Sequence, residues 1–342
     1  MKVRVFLVCV LLLFLASLTV QAAAPARIVI LRSMPVPVVD LHAQKIIEKL
    51  QEYSRQNQRS IQIVDLQADG DRDRARVLLA QEMQKQRPDL VISVATLASQ
   101  EARKILADTS VPQLFCVVAD PVGAGLVERL GVPSKANISG FVYNQRPENR
   151  LEIVTRLLEN TPYREKVRFG VISSDYPSAK SDVAALKGLA ALYPGGLHFE
   201  NYMFPYRSVP AGLPAMFENM RAGIEALRGK VDFLWEVSGP LSEVSDATRI
   251  LLDSGIPLIN GNIPASVEMG GLIAIQPDYD SVAAGISDMA WKSLNGVPAG
   301  DLPVTVPDQF KLYLNMATAK RLGINVPSHL MMMAGENLIS GH

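Results

Sequence analysis

Short, unbroken apolar runs alternate with helix-period stripes along almost the whole chain, and this alternation restricts the fold more than any other feature. The runs are 27–31, 61–66, 90–94, 113–118 and 138–142, then 167–172, 198–204, 233–237, 257–259 and 272–275. Most lack polar alternation, as strands covered on both faces do. Between them Leu41, Ile46, Ile47 and Leu50 recur at the helical period, as do Leu151, Val154, Leu157 and Leu158, and Met216, Met220, Ile224 and Leu227. Strands alternating with helices predict parallel sheets with right-handed crossovers, an α/β fold. A length of 342 residues suggests about two domains.

The halves resemble each other. Asp89-Leu-Val-Ile-Ser-Val94 is similar to Asp232-Phe-Leu-Trp-Glu-Val237, and each is followed by a turn and a helix. The following helices then register, with Ala102 opposite Ala247, Ile105 opposite Ile250, Leu106 opposite Leu251, Asp108 opposite Asp253 and Pro112 opposite Pro257. Such a duplication predicts two similar open sheets whose strand C-termini and helix N-termini face a shared cleft, the edge at which open α/β sheets bind ligands.

The first 24 residues read as an export signal. Lys2 and Arg4 precede an apolar run from 5 to 18, and small residues at 20–24 offer a cleavage site. The run is too short for a spanning helix of about 20 residues, so a cleaved leader and a periplasmic protein are expected. Cys9 leaves with the leader, and Cys116, alone in an apolar run, is expected in the core. Basic and acidic residues balance at 34 each, which leaves no excess for nucleic-acid phosphates. Two cysteines and the widely separated His42, His198, His329 and His342 offer no metal-ligand spacing, so neither metal nor cofactor is expected.

Catalytic signatures are missing from the sequence: there is no G-x-S-x-G, no G-x-G-x-x-G after a strand, no G-x-x-x-x-G-K and no H-E-x-x-H. Polar residues cluster instead just after the expected strands. Ser93, Thr96 and Ser99 follow one; Ser173, Ser174, Asp175, Tyr176 and Ser178 follow another; Ser238 and Gly239 follow a third. Free N–H groups at helix starts favour an anion, although the same residue types also cap helices. Asp120 stands in a turn rich in small residues. Asp278 and Tyr279 follow the run at 272–275, where Asp278 either meets a ligand ammonium or caps the next helix. Trp235, in a strand, is expected in the core.

At Ala119-Asp-Pro-Val-Gly-Ala-Gly-Leu-Val127, followed by Asn137-Ile-Ser-Gly140, the chain resembles the ABC transporter substrate-binding proteins of the tryptophan/tyrosine-binding group. The tail from Phe310 to Pro327 resembles that family's ending. The family's glycine-rich block is replaced here by Pro133-Ser-Lys-Ala136, a departure confined to a loop. The resemblance implies a type I periplasmic-binding fold, with two α/β lobes joined by three crossings and closing on ligand by a hinge. Crossings are expected near Tyr143, Asn262 and Ala299, giving one lobe of 25–143 plus 262–298 and another of 144–261 plus 299–342. It also implies a pocket that includes Thr96, Asp120, Ser173 to Tyr176, Ser238, Gly239, Asn260 and Asp278, with Thr96 meeting a carboxylate and Asp278 an ammonium. The implied function is capture of a small polar solute, an amino acid among the candidates, for delivery to an ABC permease in the inner membrane. Presentation of the closed form to a membrane sensor and an exported α/β enzyme stand as alternatives.

Overall fold

The computed structural model describes residues 24–143, 147–193, 196–307 and 309–340. Residues 1–23 of the expected leader, with Lys2, Arg4 and Cys9, lie outside the described residues. Among those described, no helix is long and apolar enough to cross a membrane.

Two sheets carry the chain. The first holds β1 (Ala26–Arg32), β2 (Ile61–Gln67), β3 (Leu90–Val94), β4 (Gln113–Val118) and β5 (Ile138–Val142), in the order β2-β1-β3-β4-β5 and parallel throughout. The second holds β6 (Val167–Ser174), β7 (Leu197–Phe204), β8 (Phe233–Trp235), β9 (Leu258–Gly261) and β10 (Ile273–Pro277), extended by β11 (Phe310–Asn315) and β12 (Leu338–Ile339). Its parallel portion runs β7-β6-β8-β9-β10, the same winding as the first sheet, while β11 pairs antiparallel with β10. The sequence repeat has a structural counterpart in each lobe. The Asp89 carboxylate accepts from the Arg27 N–H at 2.7 Å, and that of Asp232 accepts from the Arg168 N–H at 2.8 Å.

The unbroken runs are buried as parallel strands under helices must be: every residue of β3 and β4 is buried. Trp235 sits among Phe169 and Phe199, and Cys116 is buried, its thiol held protonated by desolvation. The helices that matter to the site are α1 (Pro37–Gln56), α2 (Arg72–Lys85), α3 (Thr96–Leu106), α4 (Pro147–Leu158), α5 (Pro177–Ala190), α6 (Leu213–Leu227) and α7 (Ser245–Asp253). Short α8 (Pro264–Glu268) leads to β10, and α9 (Tyr279–Leu294) follows it.

Three segments pass between the sheets. The first follows Tyr143: β5 ends at Val142 in the first sheet, and α4, in the second lobe, begins at Pro147. The second differs from the expectation of a crossing near Asn262: β10 hydrogen-bonds to β9 and β11, so residues through Pro277 stay in the second lobe, and the chain crosses only to form α9, which packs on α1. The third crossing also falls later than Ala299. Thr305 exchanges backbone hydrogen bonds with Gly140 and Val142, and Val304 packs with Phe115, so this stretch covers the edge of the first sheet before β11 joins the second. The displacements have different causes: β10 stays with its sequence neighbours β9 and β11, whereas the stretch around Thr305 pairs with β5, far earlier in the chain. At the hinge the His42 ring packs edge-on against Tyr143 and Tyr279 at 5.6 and 4.6 Å, and the two tyrosine hydroxyls are 3.2 Å apart.

Candidate functional site

In a doubly wound sheet, the strand order reverses beside the first strand, and the C-terminal ends of the flanking strands open a crevice there. In the first lobe these ends lead into Met34, Val36 and Ala95-Thr96; in the second they lead into Tyr176, Ser178 and Ser238-Gly239. The two crevices face each other and enclose a cavity of about 40 Å³. Val38, Val39, Val117, Ala119 and Tyr143 complete its first-lobe wall; Pro240, Glu243 and Asn262 complete the second.

The wall is strained on one side. Ala95 has a φ of 72° and Val117 a φ of 55°, where β4 bulges against β5. Side chains bearing a Cβ adopt this region at a cost of roughly 1–3 kcal/mol, and such residues gather where a ligand is clamped. The Ala95 N–H donates to the Cys116 carbonyl at 2.9 Å, which ties the two strained strand ends together.

Across the cavity, the Leu97 N–H in the first turn of α3 donates to the Tyr176 hydroxyl at 3.4 Å. The Tyr206 hydroxyl reaches the Gly70 carbonyl at 3.3 Å. A Cβ on Gly70 would stand 2.6 Å from that hydroxyl, so the close approach of the lobes needs glycine there. These contacts hold the lobes shut.

Among the described residues, one carboxylate lines this cavity. Glu243, at the end of the 3-10 turn Leu241–Glu243, is 8% exposed and accepts from Asn262 Nδ2 at 3.0 Å. Burial, and then the charge of Glu236, push its pKa up to about 8, against the pull of Asn262. Glu236 is buried as well but is satisfied by Thr248 Oγ1 at 2.7 Å, the Asn262 N–H at 2.8 Å and Ser266 Oγ at 2.9 Å. Asn262 therefore bridges two buried acids, and Glu243 is the one that faces the cavity.

Of the residues expected at the site, Thr96, Tyr176, Ser238 and Gly239 line this cavity. The others are placed elsewhere. Ser93 lies in the core, accepting from Gln113 Nε2 at 3.0 Å. Ser173 and Ser174 line a separate small cavity inside the second lobe. Asp175 is exposed and accepts from the Tyr206 N–H at 2.6 Å. Asn260 points into the sheet, donating to the Glu236 carbonyl at 3.2 Å. Asp120 accepts from the Gly123 N–H at 2.8 Å, on the rim of a neighbouring cavity. Asp278 caps α9 through the Ser281 N–H at 3.0 Å and pairs with Lys311 at 3.1 Å. That N–H, with the lysine, holds its carboxyl below the usual range. Tyr279 stands beside it at the hinge, off the cavity. Sequence reasoning missed Glu243, Asn262 and Tyr143. The available signal for Glu243 was an acid two residues past Pro240-Leu241, in the same post-strand turn as Ser238.

A family model described as ABC transporter substrate binding protein matches residues 27–338. The chain belongs to that family. It is 29% identical over 247 residues to a tyrosine-binding protein of Clostridioides difficile (strain R20291), a match spanning 71% of this chain and 66% of that protein. Its fold superposes on an ABC domain from Streptococcus pneumonia in complex with L-Trp, with a TM-score of 0.73, 23% identity, and coverage of 92% and 100% of the two chains. A type 1 periplasmic binding protein from Bordetella pertussis Tohama I gives a TM-score of 0.59 at 12% identity, covering 85% of this chain and 96% of that one. The fold is that of the type I periplasmic binding proteins.

Proposed function

We propose that this protein is the exported solute-capturing component of an ABC transporter, that its solute is an α-amino acid with a largely apolar side chain, and that it hands this solute to a membrane permease. The observation that carries the reading is Glu243, a buried carboxylate with no cationic partner among the described residues, in a cavity whose walls are otherwise mainly apolar. A buried acid whose proton is retained to about pH 8 becomes a strong site for an ammonium, because the incoming charge replaces the solvation the carboxylate has lost. Opposite it, the first turn of α3 offers backbone N–H groups to a carboxylate, beside the Thr96 hydroxyl. In the closed form the Tyr176 hydroxyl occupies one of these donors.

A cavity of about 40 Å³ has room for only a few water molecules. Entry of an amino acid therefore requires the lobes to part, and the three crossings supply the hinge. The ligands of the relatives support this class: L-Trp in the Streptococcus structure and tyrosine in the name of the Clostridioides protein. Export rests on the leader read from residues 1–24. Calorimetric titration with L-tyrosine, L-tryptophan, L-leucine and their amino-acylated derivatives tests the reading. Binding of free amino acids, lost on N-acetylation and followed by recovery of unchanged ligand, is the expected result. Equal binding of N-acetylated forms contradicts it.

A further inference from the structure

A second cavity of about 360 Å³ opens between the lobes and shares Ala119 and Ser178 with the first. Arg150, on α4, lines it and is 4% exposed. Its Nη2 donates to Asp182, while Nε and Nη1 are buried with no acceptor among the described residues. Asp182 is committed on its other side, since its Oδ2 accepts from the N–H of Ser238 at 2.9 Å and from its hydroxyl at 3.2 Å. Ser238 lines the first cavity, so one hydrogen-bonded chain, Arg150 to Asp182 to Ser238, links the two.

Buried guanidinium donors are rarely left without acceptors, because each forfeits its water without recompense. The group that best satisfies them is a carboxylate. The remaining acids of the cavity decide how that carboxylate arrives. Asp120 is held by the Gly123 N–H, and Glu148 is exposed to solvent at the mouth. Two rim carboxylates repel a free, multiply charged anion but tolerate one carboxylate on a molecule whose positive end is already bound.

We infer that the second cavity is a subsite of the same cleft, in which Arg150 receives a carboxylate that the ligand carries at a distance from the ammonium lying at Glu243. This inference rests on the ammonium role given to Glu243 above. It extends the substrate class to amino compounds bearing a carboxylate at a distance: an acidic amino acid, or the C-terminus of a dipeptide.

Two matched pairs of probes test it by calorimetry: L-glutamate against L-glutamine, and L-tyrosyl-glycine against its C-terminal amide. The native protein is expected to bind the acid of at least one pair ten-fold or more tighter than the amide. A gain in the first pair assigns the subsite to an acidic side chain, and a gain in the second to a peptide C-terminus. Arg150→Met is expected to bring the ratio near one; Arg150→Lys, which keeps a cation beside Asp182, carries the test where the methionine variant does not fold. Glu243→Gln is expected to weaken both members of a pair alike and leave their ratio intact. Equal binding of acid and amide by the native protein, or a ratio that persists in the Arg150 variants, overturns the inference. If L-tyrosine or L-tryptophan binds but neither acid gains over its amide, the subsite falls while the Glu243 reading stands. If no probe binds, both fall.

Discussion

The Tyr176 hydroxyl, carried by the second lobe, takes a 3.4 Å hydrogen bond from the Leu97 amide of the first, at the start of α3. This bond spans the cleft at the point where a solute carboxylate is proposed to dock. Tyr176 is thus both a latch of the closed form and a stand-in for the ligand. Tyr176→Phe removes the bond and keeps the ring, which packs on Tyr206 at 5.0 Å. A loss of about 1 kcal/mol in unfolding free energy is expected, read as a lower denaturant midpoint, together with a larger radius of gyration for the ligand-free protein in solution scattering.

Asp278 separates capping from recognition. Its carboxylate serves the Ser281 N–H and Lys311 and lies off the cavity. Asp278→Ala is expected to cost about 1 kcal/mol of stability as a lost N-cap and to leave amino-acid affinity within two-fold of native in calorimetry.

Two buried groups set opposing pH trends. His42 is held neutral, its pKa lowered from 6.5 to about 4, chiefly by burial. The unfolded chain binds the His42 proton more readily, so this contribution to stability is present above pH 6.5 and is lost as pH falls towards 4. Glu243 is raised from 4.5 to about 8, chiefly by burial. The folded state holds that proton more tightly, so its contribution is full below pH 4.5 and is lost as pH rises towards 8. Thermal melts between pH 4 and 8 are expected to show that Glu243→Gln removes a decline on the alkaline side. His42→Gln is expected to remove one on the acid side.

The duplicated aspartates make matching contacts in separate lobes. Asp89→Ala and Asp232→Ala are each expected to cost about 1–3 kcal/mol, by leaving a strand N–H without its acceptor. The double variant is expected to show the sum, since the sites share no partners. Denaturant titration of the three variants checks this.

The parallel character and the likeness of the two sheets were legible because strands buried on two faces carry no polar alternation, and because Asp89 and Asp232 mark the same position in each lobe. Thr96, Tyr176, Ser238 and Gly239 were legible for a related reason: the C-terminal ends of such strands are where a cleft forms. Glu243 was not, since a lone acid in a 3-10 turn has no periodicity and only the packing of Asn262 and Glu236 around it reveals its burial. Asp278 misled because an N-cap and an ammonium site call for the same residue. The late crossings were hidden for two reasons: nothing in the sequence marks that β10 stays beside β9 and β11 in the second sheet, and the stretch around Thr305 takes its place by pairing with the distant β5.

The central claim is that Glu243 receives a ligand ammonium inside the closed cleft. It is tested most directly by titrating L-tyrosine and L-tryptophan at pH 7 into the native protein and Glu243→Gln, in two buffers of different ionisation enthalpy. The account predicts that binding releases close to one proton from the native protein, because pairing ionises a carboxyl that is mostly protonated in the free state. It predicts no such release from the variant, with affinity weakened by about 2 kcal/mol or more, roughly thirty-fold. Equal affinity in the two proteins, or binding without proton release, would contradict it.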